Sequence, residues 1–294
     1  MADEAAPPIP PTAPEQQRRA PWQPSPTDPT EPTISARALA KARGTVEDFA
    51  RSYMPLLGLP VDDVLCFADS LYFVAGSLYE LDELNERGGD PSQAPAAAAL
   101  RQFLAGRGLL DDVQATLDVG FEYWTLERRL IAEWKRPQGD VAHEDELLRC
   151  ACRASGCKSF DYHVLVLLVA GMTGRTVSKE MMLFLGACFQ LVEIEDDLKD
   201  YRKDHEAGAF NIYAAFVRRY GAAAVTKMPL WIAEREQFYL DARAAAGLTD
   251  SQLKFHVARN ESQGGAGPAM APEACSGGWA LPTPILDERL YATI

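Results

Sequence analysis

Apolar residues recur at helical spacing almost without interruption from Ser35 onward, and no stretch alternates with the two-residue period of a half-buried strand. The pattern predicts helices over 36–56, 61–87, 95–106, 109–135, 142–173, 177–207, 208–222 and 226–246. In 61–87 the apolar set is Leu65, Phe67, Leu71, Val74, Leu78 and Leu81, and the segment Glu86-Arg-Gly-Gly-Asp-Pro-Ser92 ends it with paired glycines and a proline. Short connections imply antiparallel neighbours. Residues 160–173 and 178–194 are apolar nearly all round, so they belong in the middle of a bundle. No repeat of solenoid length is present. The expected fold class is therefore all-α, a single helical bundle with a buried central pair.

Composition trims this picture at both ends. Ten of the 20 prolines fall within residues 1–34, and a Gly/Pro/Ala-rich stretch follows Asn260. The expected organisation is a disordered Pro-rich N-terminal arm (1–34), a helical domain (35–260) and a loose C-terminal tail (261–294). Roughly 225 residues remain to build one core. The acidic, proline-rich start lacks the basic and apolar parts of a secretory signal. The apolar stretches 164–172 and 181–192 are shorter than the roughly 20 residues of a membrane span, so no stable membrane insertion is expected. Six cysteines, mostly within apolar helical patterns, read as reduced thiols of a cytoplasmic protein; the spacing of Cys150, Cys152 and Cys157 matches no zinc hook. With 29 Lys plus Arg against 42 Asp plus Glu, the net charge is −13, the wrong balance for a nucleic-acid binder.

The acids are not evenly spread. After Met181-Met-Leu-Phe-Leu-Gly-Ala-Cys-Phe-Gln-Leu-Val192 comes Glu193-Ile-Glu-Asp-Asp-Leu-Lys-Asp-Tyr-Arg-Lys-Asp204, in which Asp196, Asp200 and Asp204 are spaced four and four. Each step of four turns only about 40° around a helix and rises about 6 Å, so the three share one stripe. A second acidic group, Asp82-Glu83-Leu84-Asn85-Glu86, closes the helix 61–87, again with an i, i+4 pair in Asp82 and Glu86. Each group alone reads equally well as a solvated helix end, with Lys199, Arg202 and Lys203 as ordinary ion-pair partners. Two such ends can instead face each other across the mouth of a bundle. Carboxylates gathered there repel one another unless a cation joins them, and Mg²⁺ shared with a substrate diphosphate is the natural one.

At these residues the chain resembles the class I isoprenoid synthase superfamily, which includes terpene synthases and prenyltransferases. Asp196-Asp-Leu-Lys-Asp-Tyr-Arg-Lys-Asp204 resembles the (N/D)DxxSxxKE metal motif of class I terpene synthases, with Asp196, Asp200, Lys203 and Asp204 at its positions. Leu81-Asp-Glu-Leu-Asn-Glu86 resembles the aspartate-rich DDxxD motif, carried by Asp82, Glu83 and Glu86. The resemblance covers most of residues 60–225. It departs from the pattern in Asp200, where a hydroxyl is usual, and in the two Glu of the first motif. The 114 residues from Asp82 to Asp196 are closer to the interval of moenomycin-type prenyltransferases than to that of typical bacterial cyclases.

The resemblance implies a class I isoprenoid synthase-like bundle with a central active-site cavity, open to homodimer formation. It implies a C10 to C20 prenyl diphosphate as substrate and Mg²⁺ as cofactor, three ions with Mn²⁺ able to substitute. Metal would be held by Asp82, Glu83, Glu86, Asp196, Asp200 and Asp204, with Asp82, Asp196 and Asp200 catalytic. Arg149, Arg153, Lys158 and Lys203 are its candidates for binding the diphosphate, and Arg289 with Tyr291 faintly resembles a closing pair. The Lys158-Ser159 pair is similar to the Lys-Thr of prenyl synthases. The implied activity is a terpene synthase releasing diphosphate and a hydrocarbon or alcohol. The alternatives are a prenyltransferase with an acceptor, and a non-catalytic binding protein of the same fold. Phe67, Phe73, Tyr79, Tyr123, Trp124, Phe160, Phe184 and Phe189 are the aromatic candidates for a cavity wall.

Overall fold

Ten helices carry the chain in a computed structural model that describes residues 34–262 and 279–286. They are α1 (Ala36–Ser52), α2 (Val64–Glu86), α3 (Pro95–Gly106), α4 (Leu110–Trp134), α5 (Val141–Cys157), α6 (Phe160–Met172), α7 (Lys179–Ala207), α8 (Ile212–Tyr220), α9 (Ala224–Ala245) and α10 (Asp250–Ser262). Among the described residues there is no strand, and the fold is all-α. The arm before residue 34, Cys275, and the Arg289 and Tyr291 candidates lie outside the described residues.

Local chemistry sets the helix ends. Side chains of Ser35, Asp140, Ser178 and Asn211 accept from first-turn amides of α1, α5, α7 and α8, the donors a helix leaves unpaired at its start. The 29-residue α7 stops at Gly208, whose φ of 66° lets the amide of Ala209 turn back to the carbonyl of Asp204.

The central pair is α6 and α7. Val164, Leu165, Val166, Leu168 and Val169 of α6 and Phe184, Leu185, Leu191 and Ile194 of α7 are fully buried. Around them, α1 packs on α2, α4 on α5 and α6, and α9 on α7. The expected helix 142–173 is two: it breaks at Lys158 and Ser159, between α5 and α6. Two pulls explain the break. Lys158 and Ser159 reach down to acids of α7, and Phe160 seats its ring against Gly120 of α4, where a Cβ would lie 2.2 Å from a ring carbon.

Two further features depart from expectation. The stretch Val61–Glu86 is long and apolar enough to cross a membrane, with mean hydropathy 1.3 over 18 residues, of which 44% are buried inside the fold. It is a longer apolar stretch than 164–172 or 181–192. Residues 279–286, within the tail expected to be loose, lie on the bundle: Trp279 Nε1 donates to Glu236 (2.7 Å), Tyr213 to the carbonyl of Pro282 (2.8 Å), and the amide of Ile285 to Tyr201 (3.0 Å).

Candidate functional site

A cavity of about 290 Å³ opens where α2, α4, the α5–α6 break and α7 converge. Its wall is Leu78, Tyr79, Tyr123, Trp124, Phe160 and Tyr162, and its polar groups are Asp82, Lys158, Asp161 and Glu193. The local sequence produces each placement. Tyr79 and Asp82 stand three apart on α2, and Glu127 follows the adjacent Tyr123 and Trp124 by one turn of α4. Asp161 falls in the first turn of α6, immediately beyond the break.

Lys158 is the electrostatic centre. Its Nζ lies 2.7 Å from Asp197 and 2.9 Å from Glu193, and Ser159 donates to Glu193 at 2.6 Å. Burial opposes its charge, and the carboxylates of Glu193 and Asp197 overcome that, so the ammonium is held well above its ordinary range. Asp197 is fixed on the other side too, accepting from the amide of Ile212 at 2.9 Å, while Asn211 donates to its carbonyl and to Asp204. Burial still pushes the Asp197 carboxyl up to about 6.

The neighbouring acids are likewise raised by burial. Asp82 accepts from Trp124 Nε1 at 3.1 Å and faces Lys41 at 3.5 Å, and its carboxyl stays above the usual range. Glu127 accepts from Tyr123 (2.8 Å) and Asn85 (2.6 Å) and sits at about 7. Asp161 accepts from Tyr79 at 3.1 Å and also sits at about 7. The five carboxyl groups Asp82, Glu127, Asp161, Glu193 and Asp197 thus answer to two lysines, Lys41 and Lys158. That excess is what a bound cation would relieve.

The other sequence candidates spread around this centre. Glu83 pairs with Arg37 and Arg87, and Glu86 with Lys41 and Arg37. On α7 the stripe of Asp196, Asp200 and Asp204 points largely outward: Asp200 is exposed and pairs with Lys203, and Asp204 holds Asn211. Asp196 is exposed too, but sits near enough to Glu193 and Lys158 to feel both, and partial desolvation with repulsion from Glu193 raises its carboxyl. Of the four basic candidates, Lys158 lines the cavity. Arg153 is spent on Glu122 and Arg149 on Glu146. Tyr79, Tyr123, Trp124 and Phe160 line the wall as expected. Phe73 packs on Phe103, Phe184 on Tyr239, and Phe189 on Tyr53 and Tyr162. Sequence reasoning passed over Glu127, Asp161, Glu193 and Asp197. Asp161 carried one signal, as a lone acid opening an apolar helix, and Glu193 another, as the first acid after an apolar run, while Glu127 and Asp197 carried none.

Two larger concavities carry less chemistry. One of about 480 Å³ surrounds Arg218, whose guanidinium is consumed by Glu144 and the carbonyls of Trp134 and Arg136. The other, about 500 Å³, is an open cleft between α5, α8 and α9, with Arg149, Tyr220 and Trp231 in its lining.

Among the described residues no three His, Cys, Asp or Glu side chains form a ready metal cage. The donors nonetheless suit Mg²⁺ in kind: oxygen ligands only, in excess over the local positive charge. Mg²⁺ sites that share substrate phosphates take just one or two protein carboxylates. Comparison of the chain with protein-family models, with curated proteins and with solved structures gave no match in any of the three.

Proposed function

We propose that the chain is a Mg²⁺-dependent class I terpene synthase, which ionises an allylic prenyl diphosphate and releases diphosphate with a terpene hydrocarbon or alcohol. The observation that carries this reading is an aromatic cavity capped on one side by a half-buried lysine and an uncompensated set of carboxylates. Apolar and charged requirements meet at that one place, as a prenyl chain joined to a diphosphate demands.

Asp82 at the cavity wall, Glu86 one turn beyond it on α2 and Asp196 beside Glu193 on α7 are the residues that would hold the cation, with Asp200, now paired with Lys203, one turn further out. Mg²⁺ supplies charge neutralisation that turns diphosphate into a good leaving group. Lys158, already charged and held by Glu193 and Asp197, stands at the cavity wall where it can donate to a diphosphate oxygen. The ring faces of Tyr79, Tyr123, Trp124, Phe160 and Tyr162 exclude water and stabilise positive carbon. At about 290 Å³ the cavity lies just below the roughly 300–1,000 Å³ usual for small-molecule sites, which favours the C10 substrate over C15 and C20.

Incubation with C10, C15 and C20 diphosphates and Mg²⁺, followed by assay of released diphosphate and of the organic extract, tests the proposal. A hydrocarbon or alcohol from a single substrate supports it. No diphosphate release from any of the three refutes it and leaves a binding protein. Replacing Asp196 and Asp200 together by Ala is expected to abolish turnover, and retained turnover would remove the metal assignment. A prenyltransferase is the second reading, favoured by Lys158 as the basic candidate at the cavity. Turnover that requires an added acceptor would establish it.

A further inference from the structure

Asp161 differs from Asp82 and Glu193, the other acids that line the cavity. Asp82 faces Lys41, Glu193 and Asp197 share Lys158, and Glu127 is held by Tyr123 and Asn85. Among the described residues no basic side chain forms an ion pair with Asp161. Its side-chain partner is the hydroxyl of Tyr79, 3.1 Å away, which lies 2.5 Å from Thr45 Oγ1 on α1. Thr45 and Tyr79 therefore fix the carboxyl in place and leave it uncompensated in charge.

The groups around it come from every neighbouring element. They are Lys41, Thr45 and Asp48 on α1, Tyr79 and Asp82 on α2, Tyr123 and Glu127 on α4, Lys158 at the end of α5, Tyr162 on α6, and Glu193 on α7. Burial, followed by repulsion from Glu193, raises the carboxyl against the pull of the Tyr162 amide and the Tyr79 hydroxyl. A carboxyl so placed both accepts and gives up a proton near neutrality. It also lines the same cavity as the rings that would surround a carbocation.

We propose that Asp161 is the base that ends the reaction, taking a proton from the carbon next to the cationic centre, with Tyr79 as its positioning residue. The C–H electron pair becomes the new C=C bond, the proton rests on an Asp161 oxygen, and it then passes to the departing diphosphate. Charge and atoms balance: one prenyl diphosphate gives one neutral alkene and one protonated diphosphate. The inference rests on the prenyl diphosphate reading and adds to it the group that selects alkene over alcohol.

The test uses the full-length protein, Mg²⁺ and the C10 diphosphate, with diphosphate release and the alkene-to-alcohol ratio measured on the same samples. In Asp161→Asn the alkene is expected to fall about a hundredfold, the low end of a general-base contribution, while diphosphate release falls far less. Tyr79→Phe should move the ratio in the same direction by a smaller factor, and Asp161→Glu should restore part of the alkene. An Asp161→Asn product ratio equal to wild type overturns the proposal. So does an equal loss of release and alkene in a variant with the wild-type melting curve. If Asp161→Asn fails to fold, Tyr79→Phe decides, and an unchanged ratio there overturns the proposal. Wild-type protein that releases no diphosphate instead removes the underlying reading, and the base with it.

Discussion

His163 buries its Nε2 on α6 without a hydrogen-bond partner, with its ring against Phe189 and close to Gly186. Burial holds the imidazole down at about 4. Between that value and its ordinary 6.5 the folded protein binds fewer protons than the unfolded chain, so stability is complete above pH 6.5 and is lost as pH falls toward 4. Wild type should therefore lose up to about 3 kcal/mol relative to His163→Leu across that window, at 1.36 kcal/mol per unit of pKa. Urea unfolding of both proteins at pH 7 and pH 4.5 reads it, and a constant difference would remove the cause given. The same scale explains which site residues could be read from the chain. Asp82 and Lys158 were legible because a helix end and a motif marked them. Asp196 and Asp197 are adjacent, and periodicity alone does not choose between them. Asn211 and the amide of Ile212, fourteen and fifteen residues on, draw Asp197 inward.

Elements were more legible than residues, because burying an apolar stripe demands a period that survives any detail of packing. The departures have local causes. The run 142–173 carries a continuous helical pattern, yet α5 and α6 separate where Lys158 turns toward α7 and Phe160 enters the notch at Gly120. Nothing in the periodicity registers a notch made by a missing side chain on another helix. Gly120→Ala should cost about 1–3 kcal/mol through overpacking against that ring, and adding Phe160→Leu should return most of it. A double-mutant cycle on urea midpoints measures the coupling, and additive effects would separate Gly120 from Phe160. Helix α10 went unpredicted because Asp250-Ser-Gln-Leu-Lys-Phe-His-Val257 carries few apolar residues and runs on into the glycine-rich tail.

For the molecule as a whole, the all-α architecture and its central pair followed from pattern, and the docking of residues 279–286 did not. Composition averages the tail, so glycines at 264, 265, 267, 277 and 278 masked Trp279-Ala-Leu-Pro-Thr-Pro-Ile-Leu286 behind them. That segment ties α9, α8 and α7 through Glu236, Tyr213 and Tyr201. Trp279→Ala is expected to lower stability by about 3 kcal/mol, from lost ring burial and from leaving Glu236, 4% exposed, without its donor. Thermal melting checks it, and an unchanged melting temperature would mean the segment rests on the bundle without holding it. A second closure is more distant still in sequence. Gln252 of α10 donates to the carbonyl of Leu56, just after α1, across 196 residues. On a ribosome adding about 5–20 residues per second, that partner arrives roughly 10–40 s after Leu56 is made. The first-made helices must spend that interval with an open seam, which makes the nascent chain, more than the finished protein, the form in need of a chaperone.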